Sequence, residues 1–305
     1  MKGESTMNTA NPSAGRTEQQ LESSAQLGKV RKLIANVILW IFLLAVAAFA
    51  LFPILLAFFG SLKSNLELST GSTLLPQAWK WDNYVQAWNS ANFAQFTWNS
   101  MFISFFTTAG TILIGTMAAY AVARVDFIGK RLYIILQSST LFISIGAVVL
   151  RPQFDLMVAL NLQKSLWAVI IILISSHATA FFMLIGFVRA IPKDLDEAAY
   201  IDGCNFYSVY YRVILPLLVP AIGVTALWTF RGAWNEYILP LVFTMTQPGL
   251  QTLTVGLASL KYGVGDAAQS QLMLAGACLS ILPMLLVYVA ANKTFMQMTA
   301  GSVKG

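Results

Sequence analysis

The chain has 305 residues, 57% hydrophobic and 10% charged, with 19 Lys and Arg against 13 Asp and Glu and a formal charge of +6. Soluble domains carry roughly 25% charged residues, so a wholly water-facing surface is excluded, and disorder, which needs a polar chain poor in aromatics, goes with it. Two cysteines, Cys204 and Cys278, and one histidine, His177, exclude a disulfide framework and a metal site built from several thiolates or imidazoles.

What remains is an all-α polytopic membrane protein. Its spans are read from uncharged runs long enough to cross about 30 Å of hydrocarbon, which takes about 20 residues. Residues 1–32, rich in Ser, Gln, Glu and Gly and without apolar periodicity, read as a mobile N-terminal tail. A first span is expected at about 33–62. Its Ala48-Phe49-Ala50 mimics a signal-peptidase site, but a secretory apolar region of 7–15 residues is shorter than this run. Further spans are expected at about 99–123, 132–150, 165–188, 213–236 and 267–292, giving six in a domain over 33–292, followed by a tail at 293–305. Tyr237–Leu260 is uncharged but interrupted by Thr244, Thr246, Gln247, Pro248 and Gly249. It is expected to be a span end followed by an external loop, because polar backbone is not left facing lipid.

Lys and Arg favour the cytoplasmic side of a membrane protein. With the N-terminus inside, thirteen of them fall on cytoplasmic segments and five on external ones, with Arg231 at a span. Both termini are therefore expected in the cytoplasm, and the basic balance needs no nucleic-acid partner.

The cytoplasmic loop 189–212 stands out. Pro192 separates it from the preceding span. Asp194 is expected as an N-cap with Glu197 at the capping-box position, and Gly203 suits the left-handed residue past a helix end. The helix Leu195–Asp202 would place Leu195, Ala198, Ala199 and Asp202 on one face. Isolated helices this short do not hold in water, so either a partner protein docks on this acidic knob or it is a solvated loop helix.

Nine residues after Gly203 come Val213-Ile214-Leu215-Pro216. The arrangement Glu197-Ala198-Ala199, three residues, Gly203, nine residues, then Val213, Ile214, Leu215 and Pro216 resembles the signature loop of permease subunits in binding-protein-dependent ABC importers. Asn83-Tyr84, Asn99-Ser100, Trp234-Asn235-Glu236 and the terminus Thr299 to Gly305 resemble the carbohydrate branch, in particular the smaller permease of maltose-type transporters. The likeness runs along nearly all the chain from the first span onward.

The resemblance implies the type I importer permease fold and alternating access in a heteromeric complex. That complex would contain a second permease, two ATP-binding subunits and an extracytoplasmic substrate-binding protein, in a bacterial or archaeal cytoplasmic (inner) membrane. It also implies that Asp194, Glu197, Ala198, Ala199, Asp202, Gly203, Leu215 and Pro216 form the loop that couples to the ATPase, and that Gly301, Lys304 and Gly305 reach the same partner. The expected function is import of a sugar or oligosaccharide. A permease of the same family for a glycerol phosphodiester or charged saccharide is the alternative, and a secondary transporter is more distant, since it would not need an acidic capped helix at this spacing.

Arg231, Asn235 and Glu236 read two ways: as a polar lining for a hydroxyl-rich solute, or, for Arg231 and Glu236, as an interfacial pair that fixes helix depth. His177 is expected to be a buried, hydrogen-bonded structural residue. No Gly-x-x-x-x-Gly-Lys-Ser/Thr cradle is present, since Gly129-Lys130 lacks the upstream glycine and is followed by Arg131. No cofactor is expected on this chain, and ATP and Mg would sit on the partner ATPases. Without His-Glu-x-x-His or Gly-x-Ser-x-Gly, no enzymatic constellation is expected either.

Overall fold

The computed structural model describes residues 12–71, 73–90, 92–142, 146–262 and 269–302, with the side chains of 12–30, 146–147, 261–262 and 290–302 left aside. Residues 1–56 form one compact unit and 57–305 a second. The described part of the first unit is helical throughout, within α1 (Pro12–Ser61), which begins inside the segment expected to be a tail. Its large apolar side chains, from Leu33 through Trp40 and Phe49 to Leu55, are exposed. A span that meets lipid or another subunit requires such a surface.

The second unit contains α2 (Asn65–Thr70), α3 (Asp82–Ser90), α4 (Phe93–Arg124), α5 (Lys130–Phe142), α6 (Leu150–Ala159), α7 (Leu166–Ser175), α8 (Ala178–Ala190), α9 (Asp194–Ile201), α10 (Phe206–Val209), α11 (Leu215–Leu217), α12 (Val219–Trp234), α13 (Ile238–Thr244), α14 (Leu253–Tyr262) and α15 (Ser270–Ser302). No strand occurs among the described residues.

At its centre stands α4, packed against α7, α8, α12 and α14. Its 32 residues span about 48 Å at 1.5 Å each, more than a hydrocarbon layer needs. Its composition is inverted relative to a soluble helix. Asn99, Ser100, Ser104, Thr107, Thr108 and Thr111 are buried, whereas Phe105, Leu113, Ile114 and Met117 are exposed. In lipid, apolar side chains gain nothing by turning inward, and small polar residues let helices approach closely.

Three helical stretches are long and apolar enough to cross a membrane: Arg31–Ser61, Phe93–Arg124 and Ser270–Val289. Two bent pairs raise this to five among the described residues, Leu166–Ser175 with Ala178–Ala190 at 47° and Phe206–Leu217 with Val219–Trp234 at 75°. The second bend has a clear cause. Pro216 and Pro220 lack the N–H that would reach back to Arg212 and Pro216, and a π-helical turn, Tyr210–Ile214, precedes them. The expected third span, 132–150, is divided between α5, a 3₁₀ turn (Gly146–Val149) and α6 rather than forming one long helix.

The expected external loop after Thr244 also carries a helix. Polar turns connect α13 to α14, whose Leu253, Val255, Leu257 and Leu260 are buried. Asn99 Nδ2 donates to the Gly249 and Gln251 carbonyls at 2.9 Å each, and the Leu253 amide donates to Ser100 Oγ at 2.9 Å. These bonds from α4 satisfy backbone that has left regular structure. Asn83 acts similarly at the end of α1, donating to the carbonyls of Ser61 (2.7 Å) and Lys63 (2.9 Å).

Candidate functional site: the loop between α8 and α12

The loop begins where α8 stops. Ile191, before Pro192, is extended at φ −75° and ψ 125°, as a following proline requires. Lys193 already has helical dihedrals, φ −68° and ψ −23°, and the amides of Asp196 and Glu197 both bond to its carbonyl. Helix α9 therefore starts at Asp194, one residue earlier than a capped start would give. The expected capping box does not form: Lys193 occupies the cap position and no side chain caps the helix. Asp194, Asp196 and Glu197 instead crowd the first turn, where the helix dipole favours negative charge.

The other end matches expectation. Gly203 has φ +81°, its amide donates to Tyr200 O at 3.0 Å, and the Cys204 amide donates to Ala199 O at 2.9 Å. This is a Schellman closure, which favours glycine because a Cβ is strained at positive φ.

Two residues of α9 face the protein interior, Asp196 and Ala199. Asp194, Leu195, Glu197, Ala198, Asp202 and Gly203 are exposed. The single face expected for Leu195, Ala198, Ala199 and Asp202 is therefore split, with Ala199 inside, in a core of Val188, Val209 and Ile214. Leu215, half-buried against that core, and the exposed Pro216 belong to the bend after the π-helical turn rather than to α9.

The inward carboxylate is paired. Arg124, the last residue of α4, places Nε 2.6 Å from Asp196 Oδ2, with the two side chains 7% and 10% exposed. An Nη of Arg124 donates to Ile191 O at 2.9 Å. One turn back, Tyr120 stacks on Phe206 with centroids 4.7 Å apart and its hydroxyl donates to the Phe206 carbonyl. Another turn back, Thr116 Oγ1 lies 2.8 Å from the Tyr210 hydroxyl. Thr116, Tyr120 and Arg124 are spaced by four and so share one face of α4, which grips the loop at three points.

Burial pushes the Asp196 carboxyl above the ordinary carboxylate range, against the opposing pull of Arg124 and Lys193. Glu197, exposed on the outer side, has no ion-pair partner among the described residues. The loop is thus fixed from inside and offers an acidic, unpaired surface outward. Sequence reasoning missed Arg124 and Asp196 as a pair. The available signal was that Asp196 and Ala199, three apart, share a face, so an inward turn of that face would demand a cation.

The remaining expected residues fall elsewhere. Arg231 and Glu236 do not pair: the Arg231 guanidinium lies 5.5 Å from the Trp228 ring centroid. Glu236 Oε1 accepts from the Ile238 and Leu239 amides at 3.1 and 3.2 Å and so caps α13, while Asn235 donates to Arg231 O. His177 is half-buried rather than buried and bonds to Gln137 and the Ile174 carbonyl. Gly301 lies in the last turn of α15, and Lys304 and Gly305 lie outside the described residues.

Residues 110–293, which contain this loop and its clamp, match the family model described as "Binding-protein-dependent transport system inner membrane component". The chain belongs to this family. It is a permease, the membrane subunit of an ABC transporter whose ATP is hydrolysed by a separate subunit. Among curated relatives, it is 30% identical over 278 residues to the arabinooligosaccharides transport system permease protein AraQ of Bacillus subtilis (strain 168), covering 89% of this chain and 97% of that one. It is 33% identical over 263 residues to the sulfoquinovosyl glycerol transport system permease protein SmoH of Agrobacterium fabrum (strain C58 / ATCC 33970), covering 84% and 89%. The fold matches a chain in the crystal structure of a bacterial ABC transporter involved in import of the acidic polysaccharide alginate, with a TM-score of 0.72 and 22% identity over 86% of this permease and 96% of that chain.

Proposed function

We propose that the permease imports a sugar or oligosaccharide delivered by an extracytoplasmic binding protein, in complex with a second permease and two ATP-binding subunits that hold ATP and Mg. Both termini lie in the cytoplasm, which the thirteen-to-five bias of Lys and Arg supports. The observation that carries the reading is α9: exposed and unpaired outside at Glu197, clamped inside at Asp196.

Helix α9 is the coupling helix. Its outer face, Leu195, Glu197, Ala198 and Asp202, inserts into a cleft on the ATPase, where Glu197 meets a basic side chain and Ala198 allows close approach. Gly203 turns the chain back, and Leu215 and Pro216 set the direction in which α12 departs. When the ATPases close, α9 moves, and Arg124 with Tyr120 and Thr116 transmits that movement to α4. Since α4 carries the inward Ser/Thr face and holds the Pro248–Leu250 turn through Asn99, one helix links ATPase closure to the solute path and the opposite end of the protein. The tail at Gly301, Lys304 and Gly305 makes a second ATPase contact.

A permease for an anionic solute is the second reading, favoured by the likeness to the sulfoquinovosyl glycerol permease. Native mass spectrometry of a mild detergent extract tests the assembly. The expected species contains this chain, one other permease and two ATPase copies. A transport-active species containing this chain alone would overturn the proposal.

A further inference from the structure

The segment joining α1 to α4 lies outside the cell in the orientation proposed above, yet its surface is not that of a water-facing loop. Leu74, Leu75, Trp79, Trp81, Val85 and Trp88 are all exposed.

Helix α3 has three distinct sides. Asn83 and Ala87, four apart, are buried. Val85 and Trp88, three apart, form an exposed apolar side. Trp81, whose carbonyl accepts from the Tyr84 amide, precedes Val85 by one turn and extends that side. Asp82, Gln86 and Asn89, at steps of four and three, form an exposed polar side. A helix resting on protein with only water beyond it has no use for separate apolar and polar exposed sides. A helix lying at the boundary of lipid and water needs both.

The rings form a continuous run. Phe58 contacts Phe59, and Phe59 meets Trp79 edge-on. Trp79 stacks on Trp81 at 6.3 Å and 17°, and Trp81 stacks on Tyr84 at 6.2 Å and 26°. The exposed apolar surface at the last turn of α1, at Phe58, thus continues onto α3.

Depth decides what covers this face. The Lys80 amide donates to the Leu62 carbonyl at 2.8 Å, and Asn83 holds the Ser61 and Lys63 carbonyls. The patch is therefore level with the end of the first span. The apolar stretch Arg31–Ser61 has 31 residues, about 46 Å at 1.5 Å each, which matches the roughly 40–45 Å of a bilayer with its headgroups. Its last turn lies in the headgroup zone, where Trp and Tyr concentrate. Lys63, the cation placed to snorkel there, is instead buried and donates to the Thr73 carbonyl. Lys80 and Asp82, the only charged residues from 74 to 90, cancel, so the attraction is to the interface itself and not to anionic lipid.

We propose that the α1–α4 connection is a membrane anchor. Trp79, Trp81, Val85 and Trp88 enter the headgroup zone of the outer leaflet and fix the depth of the first span, while Asp82, Gln86 and Asn89 face water. This placement rests on the cytoplasmic termini proposed above, which make the leaflet the outer one, and not on the identity of the solute.

The test uses the whole transporter complex, without binding protein, in phosphatidylcholine vesicles with and without phosphatidylglycerol. Val85→Cys, Trp88→Cys and Gln86→Cys, each in a Cys204→Ser, Cys278→Ser background, carry an environment-sensitive fluorophore. Its quenchers are aqueous iodide and nitroxide lipids labelled at the headgroup, at the top of the acyl chain or near the chain end. A face seated about 5–10 Å into the headgroup/acyl boundary should be quenched at least about twofold more by the two shallow nitroxides than by the deep one. We expect this at Val85→Cys and Trp88→Cys, equally with and without phosphatidylglycerol, whereas Gln86→Cys should respond chiefly to iodide. Quenching of both apolar-side reporters by iodide alone would place the face in water, and protection from every quencher would place it against protein. Either result, or strongest quenching by the deep nitroxide, overturns the anchor. In right-side-out membrane vesicles, Gln86→Cys should react with an impermeant thiol reagent added outside; reaction from the inner side alone overturns the outer placement. Uptake by the unsubstituted complex judges the import reading separately, since lipid contact at α3 stands whether or not a sugar is carried.

Discussion

Arg124→Ala tests the inner clamp most sharply. The substitution leaves the Asp196 carboxylate buried without its cation and removes the donor to Ile191 O. Removing one member of a buried ion pair costs about 3–5 kcal/mol, and the lost hydrogen bond adds about 1 kcal/mol. At 1.4 kcal/mol per factor of ten, even about 3 kcal/mol would shift the ratio of docked to released loop by more than a hundredfold. Helix α9 has eight residues and cannot persist alone. The apolar core beneath it, with Tyr120 and Thr116, survives the change. Membrane abundance is therefore expected near wild type, transport at least tenfold lower, and limited proteolysis between Ile191 and Asn205 faster. The control is a double-mutant cycle with Asp196→Ala, read by transport and proteolysis. Removing both charges leaves no buried carboxylate, so the double variant should be no worse than Arg124→Ala alone. Effects that simply add would refute the clamp.

Three further outcomes follow from the same structure. Gly203→Asp places a side chain at φ +81°, at a cost of roughly 1–2 kcal/mol, and adds a carboxylate to the docking face; because no atom lies near its Cβ, insertion should be normal while transport and co-purified ATPase fall together, and full transport at normal abundance would remove the coupling role. The raised Asp196 pKa means that the folded chain binds this proton more readily than the unfolded one, so this group's stabilisation is present below its unfolded pKa and lost as pH rises through the folded value, whereas the ion pair needs the charged form and dissolves as pH falls through that folded value. Solute-stimulated ATP hydrolysis should therefore decline on acidification above the ordinary carboxylate range, and Asp196→Asn should lack that limb; an unchanged limb would assign it to another group. Asn99→Ala strips the donors from two carbonyls, at about 1–3 kcal/mol for each left unsatisfied, and should lower the melting temperature of the detergent-solubilised protein, an unchanged value meaning that the turn at Pro248–Leu250 is held by other contacts.

Much of this was legible in the residues because the membrane is a severe solvent. Apolar length located Arg31–Ser61, Phe93–Arg124 and Ser270–Val289, whereas 213–236 was expected as one span and the 75° bend at Pro216 and Pro220 falls inside it. Gly203 was readable because positive φ selects glycine. Breaks within a span were harder: nothing local to Ser176 and His177 distinguishes a bend from a continued helix, and 132–150 looks continuous by composition although it divides between α5 and α6. At the site, the capping box failed because Lys193 was already helical, which depends on how Pro192 leaves α8. Which face of α9 turns inward is set by Arg124, some seventy residues earlier in the chain, and helical spacing alone carries no such information. Asn83 and Asn99 stood out only by family likeness, and their physical role, donating to carbonyls of distant turns, emerges only from the tertiary fold.

The most direct test of the central claim, that the outer face of α9 meets an ATPase, is cross-linking from Ala198. Ala198 is exposed and small enough for Ala198→Cys to keep the helix. In a Cys204→Ser, Cys278→Ser background, a short bifunctional thiol–amine reagent is applied to the active complex with and without ATP. The account predicts an adduct between this chain and the ATPase subunit, with a yield that changes when ATP binds. An active complex that gives no such adduct, or one whose Ala198→Cys links only to the second permease or to lipid, would contradict it.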